Sequence, residues 1–313
     1  MPLPSDDKLV ALANDILAQF DQIFGLNPGF RPAHAKGAML SGVFTPAPNA
    51  KELSRAPHFI RENTQVTVRF SNSTGIPMIP DNDPNADPRG MAIRFHLADR
   101  VHTDIVSHST DGFPAHNGSE FLELLRALAT TTPDSPHPNP IESFLGSHPA
   151  ALAFVQAPKP APSSFARESY FGVTAMHFTN RDGISRYGRY RILPDAGNDP
   201  LSAEAAAAKA PNYLFDELTS RIAEGPIKFK IVAQLANEGD EVHDATVHWP
   251  EDREIFDIGT LVLTEPVAND AAEQKHLIFD PIPRVDGIEP SEDPLLELRA
   301  AIYLISGRRR RAA

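Results

Sequence analysis

The chain contains no cysteine. That single absence excludes disulfides, a thiolate nucleophile, iron–sulfur clusters and a cysteine-ligated haem. Any redox chemistry must therefore rest on a cofactor held by His, Tyr, Met or carboxylate. Long apolar runs are missing as well: no stretch approaches the roughly 18 residues of a membrane-spanning helix. The opening residues Met1–Lys8 carry neither the basic start nor the apolar run of a signal peptide. A cytoplasmic protein without integral membrane association is expected. Positive charge is in the minority, with 29 Lys and Arg against 41 Asp and Glu and a net charge of −12. Nucleic acid is thus disfavoured as a partner, because phosphate binding needs a net basic face. The exception is Arg308–Arg311 at the end of the chain. It reads as a solvated terminus, with one arginine free to pair with a buried carboxylate, rather than as a nucleic-acid tail.

Several catalytic signatures are also absent. There is no G-x-S-x-G elbow, no phosphate loop and no H-E-x-x-H among the 12 histidines. Asp81–Asp87 resembles the first half of a calcium loop, but Ala86 stands where glycine is needed and Ala92 where glutamate is needed. A turn-rich loop is the expectation there.

What is present begins with an amphipathic helix over 6–24, its apolar Leu9, Leu12, Ala13, Ile16, Leu17, Phe20 and Ile23 at three- and four-residue spacing. Gln65–Ser71 alternates apolar Val66, Val68 and Phe70 with Thr67, Arg69 and Ser71, and Met91–Leu97 repeats the pattern. Further strands are expected at Gly172–Thr179, Tyr187–Leu193, Lys228–Leu235 and Gly259–Leu263. Helical segments are expected at 119–129 and 141–155, within an insertion over about 119–155, and at about 202–224, with extended Pro-rich stretches at 133–140 and 158–162. A last helix is expected over about 292–306. This order argues for an α+β protein built on an antiparallel sheet or barrel, with no linker dividing the 313 residues into two domains.

Two constellations carry chemistry. In the last helix, capped by Ser291 on this reading, Leu295, Leu298, Ile302 and Ile305 form an apolar stripe, and Arg299 and Tyr303 project together at i and i+4. A guanidinium beside a phenol lowers the phenol's pKa, which tyrosinate ligation of iron requires. The plainer reading is a core tyrosine beside an arginine that reaches solvent. Near the start, His34 lies in Arg31-Pro32-Ala33-His34-Ala35-Lys36-Gly37, among small residues and two cations. A histidine of near-neutral pKa can carry a proton from one peroxide oxygen to the other; a structural loop histidine is the alternative. Arg69 and Ser71 share one face of their strand, where a buried arginine would need an anion such as a cofactor carboxylate. For any single strand, the polar outer face of a half-exposed strand is the better account.

Taken in order, these segments resemble the catalase family. RPAHAKGAMLSGVF (31–44) is similar to the segment around the distal histidine. VTVRFS (66–71) is similar to the strand with the haem-contacting arginine and serine. Asp87–Phe95 resembles the family's D-P-R-G-F-A-x-K-F strand, and GIEPSEDPLLELRAAIY (287–303) resembles the segment delivering the proximal tyrosine. Trp249-Pro250 followed by Gly259–Leu263 keeps the same order. The resemblance implies an eight-stranded antiparallel β-barrel with surrounding helices, strands falling in about 60–110 and 170–265, and one haem-binding domain over 1–313. It implies haem b, with Tyr303 as the iron ligand and Arg299 as its hydrogen-bonding neighbour. His34 becomes the distal acid–base residue, oriented by Ser71. Arg31, Arg69 and Arg310 become propionate contacts, and Phe113 the aromatic residue over the haem face.

The departures point within the family. Where catalases carry D-L-x-G-N-N, this chain has Asp104-Ile105-Val106-Ser107-His108-Ser109, so His108 stands at the position expected for the distal asparagine. The long N-terminal arm and the C-terminal helical domain of catalases have no counterpart in the 313 residues. The resemblance is thus to the minimal, catalase-related peroxidase branch. It implies a monomer or homodimer reducing hydrogen peroxide or organic hydroperoxides with a small organic donor, and little dismutation. The alternatives are a fatty-acid hydroperoxide-rearranging enzyme like allene oxide synthase, a non-catalytic haem-binding protein, and a haem-free barrel.

Overall fold

The computed structural model describes residues 3–313. Its strands are β1 (Gly37–Pro46), β2 (Thr64–Ser71), β3 (Gly90–Ala98), β4 (Val101–His108), β5 (Tyr170–Phe171), β6 (Met176–Thr179), β7 (Ser185–Pro194), β8 (Ile227–Leu235), β9 (Ile255–Pro266) and β10 (Ile288–Pro290). Neighbours run β7-β5-β4-β3-β2-β1-β9-β8, and β8 returns to β7, closing an eight-stranded antiparallel barrel. Strand β6 continues along the β5 edge of β7, and β10 pairs outside it.

The alternation in sequence sets which side chains fill the barrel. Val66, Val68 and Phe70 of β2, with Met91, Ile93 and Phe95 of β3, point inward and are almost fully buried. The Phe70 ring packs against Phe165, Tyr170 and Phe229 at centroid distances of 5.5–6.0 Å. Burying each such side chain stabilises the fold by about 1.5–3 kcal/mol. Thr67, Arg69 and Ser71 point outward, yet Arg69 and Ser71 are buried too, because the segment around His34 and the short helix Asp270–His276 lie against that part of the wall. The short helix Pro57–Ile60 brings His58 against the core rings of Phe59 and Phe95.

A helical layer joins the N-terminal helix Asp7–Phe24, the helix Gly118–Thr130 and the C-terminal helix Pro294–Ala312. Ala13, Ile16 and Leu17 meet Leu122, Leu125, Leu298, Ala301 and Ile302, with Tyr303 at the edge of this cluster. Gly118 permits the close approach, since a β-carbon there would lie 2.2 Å from Leu298.

Four expectations need correction. Strand β1 falls outside the 60–110 bracket, because Gly37–Pro46 lacks clean alternation and Gly42 backs directly onto Val262. The expected strand Gly172–Thr179 is interrupted: the chain leaves the sheet after Phe171 and rejoins it at Met176. The expected helix 141–155 is two helices, Pro140–Ser147 and Pro149–Gln156, the second restarted by Pro149. The last helix is capped by Asp293, which accepts the Leu295 N–H at 2.9 Å, not by Ser291, and it runs on to Ala312. Its arginines are therefore helical rather than frayed. Arg309 pairs with Asp21, and Arg310 turns inward to carbonyls, not to a carboxylate.

Candidate active site

Strand register puts three residues in one row on the outer wall of the barrel. Ser71 of β2 faces Gly90 of β3, and Gly90 faces His108 of β4. The His34 ring lies over this row, its Nδ1 3.1 Å from the Ser71 hydroxyl. A β-carbon at Gly90 would stand 2.8 Å from that same Nδ1. Here glycine is required by the closeness of the histidine ring.

The His34 backbone adopts φ +56°, a left-handed conformation of the kind that costs a non-glycine residue about 1–3 kcal/mol. Neighbouring bonds hold it there. Arg69 donates to the carbonyls of His34 and Ala35 at 2.9 and 3.2 Å, and the Ala35 N–H donates to Thr74 at 3.0 Å. Burial pushes the imidazole pKa down to about 3, assisted by the charges of Arg69 and His108. His34 nevertheless keeps some accessible surface.

His108 shares these properties. Burial and then Arg299 lower its pKa to about 4, while its ring remains partly accessible. Its Nδ1 accepts the Thr110 N–H at 3.3 Å, so the neutral ring carries its proton on Nε2.

Three guanidinium groups converge beside this row. Arg31 and Arg310 both donate to the Leu277 carbonyl, at 3.0 and 2.7 Å, and Arg310 also bonds the Lys275 carbonyl at 3.0 Å. Arg69 bonds the Gln274 side chain at 2.7 Å. Desolvation leads the depression of all three pKa values, and like-charge repulsion adds to it: Arg31 feels Arg69 and Arg310, and Arg69 feels Arg310. Arg69 falls to about 9 and Arg310 to about 10. Asp270 lies near Arg31 and Arg69 but bonds Gln274 instead. A buried cluster of cations held by carbonyls and an amide is a site for an anion.

Arg299 and Tyr303 lie one helical turn apart, as expected, the guanidinium donating to the phenol oxygen at 3.4 Å. Tyr303 is partly buried and near enough to Arg31 to affect its charge. Phe113 packs with Val173, Ala245 and Leu295, and its ring lies 5.2 Å from that of Phe121, which joins the Tyr303 cluster. It thus sits toward the N-terminal end of the last helix, two turns before Tyr303. Lys36, the second cation flanking His34 in sequence, points away and pairs with buried Asp81 at 2.7 Å. Asp81 is the head of the calcium-like loop, and its carboxylate is occupied by Lys36, Asn72 and the Leu214 N–H.

Sequence reasoning counted Gly37 among the small residues around His34 but passed over Gly90 and the segment Gln274–Leu277. Gly37 lets the Arg69 guanidinium lie against the backbone, where a β-carbon would come within 2.3 Å of it. Both glycines stand inside the quoted motifs, so a signal existed. The carbonyls at 275 and 277 had none, because main-chain acceptors leave no mark in residue type.

The catalase family model matches residues 27–313, and the chain belongs to that family. It is 34% identical over 289 residues to the catalase-related peroxidase of Mycolicibacterium paratuberculosis, covering 90% of this chain and 89% of the relative. To the catalase-related peroxidase of Synechococcus elongatus it is 32% identical, covering 94% and 87%. Mouse catalase is 28% identical across 87% of this chain, which spans 54% of that protein. A fungal catalase crystal structure superposes with a TM-score of 0.80 at 25% identity, over 99% of this chain and 63% of the other.

The family implies a haem, and the side chains present fit one. The arginine cluster lacks the anion that propionates would supply. The only phenol one helical turn from a hydrogen-bonding guanidinium on the last helix, Tyr303, borders the same cluster.

Proposed function

We propose that the chain is a haem b peroxidase that reduces hydrogen peroxide or organic hydroperoxides with a small organic donor, and dismutates hydrogen peroxide weakly. Cytoplasmic location and a monomeric or dimeric state complete the reading. The carrying observation is the row Ser71–Gly90–His108 with His34 laid across it, neutral and hydrogen-bonded at 3.1 Å. Two relatives at 34% and 32% identity that are named catalase-related peroxidases support it.

In this reading Tyr303 holds the iron through its phenolate, and Arg31, Arg69 and Arg310 hold the propionates. The haem, when bound, supplies the redox-active iron at which the peroxide bond is cleaved. Arg299 donates to the Tyr303 oxygen and so tempers the ligand's basicity. His34 is the acid–base residue. With the Nδ1 proton directed at the Ser71 hydroxyl, its Nε2 accepts a proton from one peroxide oxygen and returns it to the other. A pKa of about 3 keeps the ring neutral, and so competent as a base, across the physiological range. Ser71 and the Arg69 clamp on the His34 carbonyl fix the ring's orientation.

His108 explains the preference for donors. Dismutation requires a second hydrogen peroxide to be held while it is oxidised. An imidazole whose Nδ1 is engaged by Thr110 offers one donor, where a carboxamide offers both donor and acceptor.

The test is product analysis with a lipid hydroperoxide, with and without an aromatic donor. Formation of the matching alcohol with stoichiometric donor oxidation is expected. Allene oxide formed without donor consumption would overturn the peroxidase reading.

A further inference from the structure

The barrel wall has an open seam. Strands β4 and β5 pair at one position, His108 against Phe171, and the chain then leaves the sheet over 172–175. The stretch Asp104–Val106 therefore faces Gly172 and Thr174 without a ladder between them. Two cavities of about 10 Å³ each lie there. The first reaches inward to His58 and the second outward to Arg299, and Tyr190 lines both. Each has about the room that one water molecule needs.

Asp104 lines both cavities and is already bonded by Arg94 and the Asp280 N–H, but other polar groups on these walls have bonding capacity left over. His58 is 1% exposed, and its Nδ1 is sealed without a hydrogen bond. Burial among aromatic rings keeps the imidazole neutral, so it carries one N–H. A sealed acceptor is tolerated more readily than a sealed donor, which puts that proton on Nε2. Tyr170 and Tyr213 donate their hydroxyls to carbonyls at 2.9 and 2.8 Å, whereas the hydroxyl of Tyr190, a residue 5% exposed, has no protein acceptor among the described residues. Arg299 spends one N–H on Tyr303 and has donors left for the second cavity. Thr103 adds a hydroxyl to the first wall and Thr174 to the second. Buried polar groups around water-sized space are the condition under which internal water is retained.

We propose that one ordered water occupies each cavity, and that the two link His58, Tyr190 and Arg299 into a hydrogen-bonded line through the barrel wall. His58 and Tyr190 are then positioning residues. They act on the Tyr303 phenolate only through the guanidinium they help to orient. The water sites stand on geometry alone, while their effect on Tyr303 rests on its assignment as the haem ligand.

A high-resolution crystal structure of the full chain tests the first part. Two buried waters at hydrogen-bond distance from the Tyr190 hydroxyl are expected, one near His58 and one near Arg299. Empty cavities would overturn the proposal. For the second part, the variants His58→Phe and Tyr190→Phe are compared with His58→Gln in the haem-loaded protein. Both phenylalanine variants should shift the phenolate-to-iron charge-transfer band, and glutamine should restore it. Unshifted bands in folded variants, checked by thermal melting, would overturn the link to Tyr303. Should the wild type bind no haem, the peroxidase reading fails, and the crystallographic result still decides the water sites.

Discussion

Gly90 meets the His34 ring with nothing between them: a β-carbon on the glycine would lie 2.8 Å from Nδ1 and 2.5 Å from the Ser71 hydroxyl. Neither partner can retreat, since Ser71 is fixed in β2 and Arg69 clamps the His34 carbonyl. Gly90→Ala should displace the imidazole. The expected result is a loss of about 10²-fold or more in the peroxide reaction, the lower range for a general acid–base. Overpacking of this kind destabilises by about 1–3 kcal/mol. Stopped-flow rates and urea unfolding measure the two effects; an unchanged rate would remove His34 from the mechanism.

The arginine cluster makes a claim about cofactor retention. Arg310 presses against Arg31 and Arg69, and the nearby Asp270 offsets the crowding without bonding any of the three. Arg310→Leu should leave the cofactor-free protein within about 1 kcal/mol of wild type, because Arg31 still caps the Leu277 carbonyl. Haem should dissociate about 10-fold faster or more, as loss of one charge-assisted hydrogen bond implies. Haem transfer to an acceptor protein provides the rate.

On the proposed reading, His108 separates donor oxidation from dismutation. His108→Asn should raise oxygen evolution from hydrogen peroxide, relative to oxidation of an aromatic donor, by about 10-fold, equivalent to ~1.4 kcal/mol in the transition state. An oxygen electrode alongside a colorimetric donor assay gives the ratio. A constant ratio would assign the preference to some other group.

His58 makes acid stability measurable. Its pKa is about 3 in the folded protein against 6.5 in the free side chain. Below pH 6.5 the unfolded chain binds a proton that the folded chain refuses, so stability is lost as pH falls from about 6.5 towards 3. His58→Phe removes that term. Its unfolding free energy should fall less steeply than wild type by about 1.4 kcal/mol per pH unit in this window. Urea titrations of the cofactor-free protein between pH 4 and 7 would reveal the difference in slope.

Much of this was legible from residue order. The alternation of Val66, Val68 and Phe70 with Thr67, Arg69 and Ser71 gave the two faces of β2, and i, i+4 spacing gave the Arg299–Tyr303 pair. The sequence could not say that the outer face would be buried, because that depends on the distant segments around His34 and Gln274. Strand β1 was missed where pairing with β2 and β9 overrides a weak pattern. The break at 172–175 was missed for the opposite reason. Local propensity there favours a strand, but β4 supplies a partner at Phe171 alone. Ser291 lost the cap to Asp293 by two residues, within the ordinary uncertainty of helix ends. The support around Arg31 and Arg310 comes from the Leu277 carbonyl, to which any residue at that position would contribute equally.

Everything proposed for the site depends on Tyr303 as the point of cofactor attachment, and a haem titration followed by absorption spectroscopy tests it most directly. The wild-type protein should take up one haem per chain with a Soret band and a phenolate charge-transfer band. Tyr303→Phe should lose both while melting as a folded protein, and His34→Ala should keep both. A Tyr303→Phe protein that binds haem with an unaltered spectrum, or a wild type that binds none, would contradict the account.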